Sequence, residues 1–222
     1  MKLFMRLIII VSFFSCSNKE GNTIIDKFTL NLEKDSVILY FPFDSLLFKE
    51  NAFQNILGYH TKKMSHEVLY DLKEPSLYDY FGNGDAIRLL WLRSFENPIL
   101  IRLNNFNDTV YANIKELNIK VNDSTPPRII IDTIIVLKKE RWDKSLSELK
   151  DSNFWRADEE DTSFYKSNVK DGTPWFLECR LGKKYHYIIR WDDGSMYSKE
   201  LNIYATELIN IGERYVQMKS KR

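Results

Sequence analysis

Apolar residues recur along this chain at two spacings, every second residue and every third or fourth, and the switches between them outline the elements. Ile24 to Leu32 and Ser36 to Phe41 are β-rich runs separated by Glu33-Lys34-Asp35, which predicts an N-terminal hairpin. Asp44 then precedes Leu46, Phe53, Ile56 and Leu57 at helical spacing, and Gly58 follows, the order of N-cap, apolar face and C′ glycine. Met64, Val68, Leu69 and Leu72 give a second helical stripe that stops before Pro75.

The middle of the chain reads as strands. Ala86 to Phe95 and Pro98 to Phe106 flank a Glu96-Asn97 turn. Pairing Phe95 with Pro98 across it sets Trp91 opposite Arg102, with Arg93 diagonal. Thr109 to Val121 follows across Asn107-Asp108. After the polar stretch 122–127, Arg128 to Leu137 is so continuously apolar that it predicts a central strand covered on both faces. Trp142, Leu146 and Leu149 place a helix over Glu140 to Asp151, packed on that sheet. The acidic run Asp158-Glu159-Glu160-Asp161 reads as an exposed loop without the alternation and glycine of a calcium loop.

Trp175 to Trp191 is the clearest hairpin, turning at Gly182-Lys183-Lys184. A three-residue loop puts Trp175, Leu177 and Cys179 on one side with Tyr187, Ile189 and Trp191. A two-residue Gly182-Lys183 turn would mix His186 and Arg190 into that side. A one-residue slip exchanges faces, so the all-apolar side favours the three-residue loop. A last helix carries Leu201, Tyr204, Ala205, Leu208 and Ile209, with Ser198 as N-cap and Gly212 past its end. Strands joined by tight turns predict an α+β fold, an antiparallel β-sheet with helices packed mainly on one face.

The N-terminus has a different grammar. Lys2 and Arg6 precede the apolar run Leu7 to Phe14, and Ser15-Cys16 leads into polar Ser17-Asn18-Lys19-Glu20. A basic start, a short apolar core and a small residue define an export signal. The run is far shorter than the ~20 residues that span a bilayer as a helix. Phe13-Phe14-Ser15-Cys16 resembles a bacterial lipobox, with Phe at two positions where that motif carries Leu and a small residue. The resemblance implies cleavage after Ser15 and lipidation of Cys16, with palmitate among the acyl chains. An ordinary cleaved signal with an incidental cysteine, and an uncleaved signal anchor, are the alternatives. Ser17 stands where an Asp would resemble an inner-membrane retention signal, so the expected location is the outer membrane. Lys19-Glu20 keeps the cell surface open beside the periplasmic face. The implied organisation is a signal peptide over 1–15, a tether over 16–22 and a single globular domain over 23–222.

Composition narrows the function classes. The formal charge is +1 with both signs interspersed, so no electrostatic argument favours nucleic acid. Fourteen Phe, 12 Tyr and 5 Trp suit a β-rich core. With Cys16 acylated, Cys179 has no disulfide mate, and its place on the apolar side of a strand reads as burial. Gly-x-Ser-x-Gly, a phosphate-binding glycine loop and His-Glu-x-x-His are all missing from the sequence. His60 and His66 are six apart and fall on different faces of one helix, which argues against zinc. No cofactor or metal is expected.

Leu69-Tyr70-Asp71-Leu72-Lys73-Glu74-Pro75-Ser76-Leu77, Arg88 to Phe95 with Asn97-Pro98, Phe154-Trp155, and Asp171 to Glu178 followed by Tyr185-His186 and Arg190-Trp191 together resemble an uncharacterised family of bacterial proteins. The resemblance covers about residues 65 to 210. Asp192-Asp193 departs from the Ser-Pro expected there. It implies a single domain and carries no activity.

Two groups are candidates for chemistry. In the three-residue register, Arg180 lies opposite His186, and Glu178 is diagonal to both His186 and Arg190. Such a trio could perform general acid–base work on an anionic substrate, or form ordinary cross-strand ion pairs. Trp91, Arg93 and Arg102 could bind a carboxylate or phosphate, or make a cation–π contact. With no constellation specific to catalysis, the leading expectation is a lipid-anchored envelope protein with a non-catalytic binding or structural role. Its partners would be the membrane, through the anchor, and an envelope protein or glycan. A hydrolase or transferase using Glu178, His186 and Arg190 is the alternative, and a protective or inhibitory lipoprotein a third.

Overall fold

The computed structural model describes residues 40–41, 52–79, 84–119, 126–160, 173–191 and 199–220, with backbone alone for 52–60, 199 and 220. All of them belong to the second of the two units into which the chain divides, Glu33–Arg222. Cys16, the hairpin expected over 24–41 apart from Tyr40 and Phe41, the Asp44 cap and Ser198 lie outside the described residues.

The elements run α1 (Ala52–Asp71), β1 (Asp85–Trp91), β2 (Ile99–Phe106), β3 (Thr109–Asn118), β4 (Arg128–Leu137), α2 (Lys139–Asp151), a 3₁₀ turn (Phe154–Arg156), β5 (Pro174–Leu181), β6 (Lys184–Trp191) and α3 (Lys199–Ser220). The six strands form one sheet in the order β4-β3-β2-β1-β5-β6, every neighbouring pair antiparallel. The α+β class follows. Among the described residues, no helix is long and apolar enough to cross a membrane.

Both sheet faces carry a core. On the first, Ile87, Leu89, Ile101 and Leu177 pack with Trp142 and Leu149 of α2 and Leu201, Tyr204 and Leu208 of α3. Alternate residues of the same strands, Leu90, Leu100 and Phe176, meet Val68 and Leu69 of α1, Leu72 just after it, and Tyr40 and Phe41 on the second. Two of the three described helices thus share a face, as expected, and the third packs on the other.

Both helical glycines turn out to be interior. The apolar stripe that restarts at Met64 belongs to the same helix as Gly58, so α1 runs through that residue without a break. A mid-helix glycine costs about 1 kcal/mol, which tertiary packing can offset. Gly212 sits inside α3, where an added Cβ would lie 2.8 Å from Ile101 Cδ1 and 3.1 Å from Ile99 Cγ2. Its role is close approach of helix to sheet rather than termination.

Of the strand connections, one is as the sequence suggests and two differ. Asn107 and Asp108, with φ of 49° and 60°, make the two-residue turn that the sequence suggests between β2 and β3. At the other hairpin Gly182 has φ +57° and Leu181 pairs with Lys184, so the loop has two residues, not three. Glycine at the first central position suits a turn whose twist matches the strands. Between β1 and β2 there is no tight Glu96-Asn97 turn, because β1 ends at Trp91, which pairs with Ile99. The connection is organised by Arg93, which donates to the Asn97 carbonyl (2.6 Å) and pairs with Glu96 and with Glu116 (2.9 Å).

β4 has the expected extent but not the expected place. It is the edge strand, none of its ten residues is fully buried, and Val136 is 70% exposed. A β-branched run satisfies a half-covered strand as well as a central one, so apolar continuity alone did not decide its position.

Candidate functional site

The two-residue hairpin turn decides the fate of the first candidate group. Cys179 pairs with His186 and Trp175 with Arg190, whereas Glu178 pairs with Tyr187. Glu178 therefore projects to the α1 face, and His186 and Arg190 belong to the other. The trio does not converge.

Each member is engaged separately. His186 packs edge-on against Phe154 (ring centroids 5.0 Å apart), and its Nε2 lies 3.0 Å from the Ala157 carbonyl. A carbonyl only accepts, so Nε2 carries the proton. Burial lowers the His186 pKa, leaving the ring neutral at neutral pH. Arg190 donates to the carbonyls of Ile189 (2.7 Å) and Asp158 (2.8 Å). The acidic run is exposed at Asp158 and Glu159, as expected, and up to Glu160 it is fastened along β6. The Ile189 N–H donates to the Glu159 carbonyl (2.7 Å), Tyr187 donates to the Glu159 carboxylate (2.8 Å), and Glu160 pairs with Lys62.

The second group splits too. Trp91 packs on the α2/α3 face with the Arg93 guanidinium 5.6 Å from its ring centroid, a cation–π contact. Arg102 is not opposite Trp91. It pairs with Arg88, on the α1 face.

What the sheet assembles instead is a buried charged row. Across three adjacent strands, Glu178, Arg88 and Arg102 are direct neighbours on one face, with Lys115 one position along on β3. Two guanidiniums placed opposite each other repel unless carboxylates intervene. Glu178 supplies one, accepting from Arg88 Nε (2.6 Å) and Nη2 (2.9 Å), and Tyr185 donates to it (3.0 Å). Glu74 supplies the other from the turn after α1. Its carboxylate lies 3.0 Å from Arg102 Nε, 2.8 Å from Lys115 Nζ and 3.6 Å from Arg88 Nη1. Glu74, Arg88 and Glu178 are within 1% of complete burial.

The row also grips the backbone of that turn. Lys115 donates to the Leu72 carbonyl (2.8 Å), Arg88 to Pro75 (2.6 Å), and Arg180 to Leu77 (2.7 Å) and Tyr78 (2.8 Å). Tyr40 donates to the Glu74 carbonyl (2.8 Å). A non-repetitive segment buried on a sheet must have its carbonyls satisfied, and here cations do it.

The two carboxylates respond oppositely to burial. Three cations hold Glu74 below the usual carboxylate range despite desolvation. Glu178 has one guanidinium against the same desolvation, and its pKa is raised. Cys179 is fully buried on the apolar face, and burial pushes its thiol well above the ordinary value. It is inert as a nucleophile.

Sequence reasoning placed Glu74 and Arg88 only in the segments of the family resemblance, and gave no site role to either or to Lys115. The available signal lay in Ala86-Ile87-Arg88-Leu89-Leu90 and Phe176-Leu177-Glu178-Cys179, where the residues flanking each charge are apolar on both faces. A charge inside a strand covered on both sides must be buried and paired. The chain matches no protein-family model, and no curated protein matches it.

Proposed function

We propose that this chain is a lipid-anchored envelope protein whose domain has a binding or structural role and performs no chemistry itself. The observation that supports this reading is the engagement of each candidate acid, base and cation with another part of the domain. Glu178 is sealed against Arg88 and Tyr185, and Arg190 is spent on backbone carbonyls. His186 is neutral with its N–H donated to Ala157. General acid–base catalysis needs a group that reaches substrate with a pKa near the working pH, and these groups do not offer that combination. The basic start, short apolar core and Ser15-Cys16 support the anchor, with the outer membrane, on its periplasmic face or the cell surface, as location.

Metabolic labelling with a palmitate analogue tests the anchor. The wild-type chain takes up label and fractionates with the outer membrane. Cys16→Ala takes up none and keeps its full precursor size. An unlabelled wild-type chain would refute the anchor. The binding role is tested by affinity recovery from envelope extract, where one stoichiometric protein or glycan is expected to accompany the chain. Turnover of envelope substrates that His186→Asn abolishes would overturn the non-catalytic reading.

A further inference from the structure

The sheet ends differently on its two sides. Along β6, the Glu159-Glu160 segment takes up the edge, with the Ile189 N–H donating to Glu159 and Glu160 bridging in parallel to Ile189. Along β4 no described strand follows. Yet this edge is long, ten residues, and apolar: Ile130, Ile134 and Val136 are 42, 40 and 70% exposed. An edge of that kind presents unpaired N–H and C=O groups as a template for another strand.

The side chains of β4 are self-complementary in one antiparallel register. With Ile134 on a two-fold axis, Ile134 meets Ile134 of the second copy and Asp132 meets Val136. On the opposite surface Thr133 meets Ile135 and Ile131 meets Leu137. No like charges face one another, and Asp132 lies diagonal to Lys138 of the second copy, an opposite-charge neighbour. Centring on Asp132 would set two carboxylates together, and centring on Thr133 would oppose Arg128 and Lys138. The Ile134 register also uses only Ile131 to Leu137. It therefore avoids Pro126 and Pro127, which cannot donate, and the irregularity where Glu116 and Leu117 pair with Ile131 and Ile129 and leave Ile130 over.

We propose that two copies of this chain associate edge to edge through β4, antiparallel and centred on Ile134, joining their sheets into one. A two-fold contact of this kind is closed, so it yields a dimer rather than a filament. The association does not depend on the lipid anchor or on the domain's lack of chemistry.

Cysteine cross-linking of the full chain in detergent reads the register directly. The wild-type chain, with Cys16 and the buried Cys179, sets the background under mild oxidant. Ile134→Cys is expected to form disulfide dimers in most molecules. Ile203→Cys, equally solvent-facing on α3, stays at background. A mixture of Asp132→Cys and Val136→Cys cross-links more than either alone. In sedimentation velocity the wild-type chain runs as a dimer, and Ile134→Lys converts it to a monomer that keeps the wild-type circular-dichroism spectrum and a cooperative unfolding transition. A monomeric wild-type chain, background cross-linking of Ile134→Cys, or a dimer that survives Ile134→Lys would each overturn the proposal.

Discussion

The two faces of this sheet are built from alternate residues of the same strands and are stabilised by different physics. Beneath α2 and α3 the buried side chains are almost all apolar, and shape decides the fit, down to a glycine that lets α3 approach Ile101. Toward α1 an apolar patch surrounds Glu74, Arg88, Arg102, Lys115 and Glu178. The difference follows from what covers each face. A regular helix satisfies its own backbone and needs only a dry surface, whereas the turn through Leu72 to Tyr78 brings carbonyls that require donors. The charges are the means by which an irregular segment is buried.

The comparison can be broken hardest at Glu74. Glu74→Gln removes the charge of the carboxylate that Arg88, Arg102 and Lys115 share, and a loss of about 3–5 kcal/mol is expected in urea unfolding. On the apolar face, Leu89→Ala should cost about 2–5 kcal/mol by opening a cavity, with no dependence on pH. Gly212→Ala should cost about 1–3 kcal/mol, since Ile101 must move to admit the methyl group. By contrast Lys144→Ala, at an exposed position beside Glu148 and Glu207, is expected to leave the unfolding midpoint unchanged within error.

The pH dependence sharpens the contrast within the polar face. Glu74 has a depressed pKa in the folded state, so its contribution is present above the ordinary carboxylate range and is lost as pH falls through the folded value. Glu178 has a raised one, so its contribution is complete below the ordinary value and declines as pH rises through the folded value. Stability measured from pH 3 to pH 8 should therefore show two opposite trends. The wild-type advantage over Glu74→Gln grows with pH, and the advantage over Glu178→Gln shrinks. Parallel trends would contradict the assignment.

Much of the frame was legible in the chain. The limits of β4 and the span of α2 follow from residue periodicity alone, because each is bounded by a turn or a change of period. Register was not. The apolar side of the last hairpin favoured a three-residue loop, but His186 and Arg190 on the α2/α3 face find an aromatic wall and backbone carbonyls that no strand pattern discloses. The slip carried Glu178 to the other face and dissolved the supposed trio. The burial of Arg88 was legible in its apolar flanks, but its partners were not. Glu178 lies ninety residues away and the Pro75 carbonyl thirteen residues upstream, outside the pattern of its own strand.

Everything claimed for the polar face rests on the Arg88–Glu178 pair being structural, and a double-mutant cycle of Arg88→Met and Glu178→Leu tests that most directly. Each single variant should lose about 3–5 kcal/mol, because it strands a buried charge, while the double variant should recover much of that loss. Additive losses would contradict the pairing. A single variant more stable than the wild-type chain would show that a strained group had been retained for function, and would overturn the account.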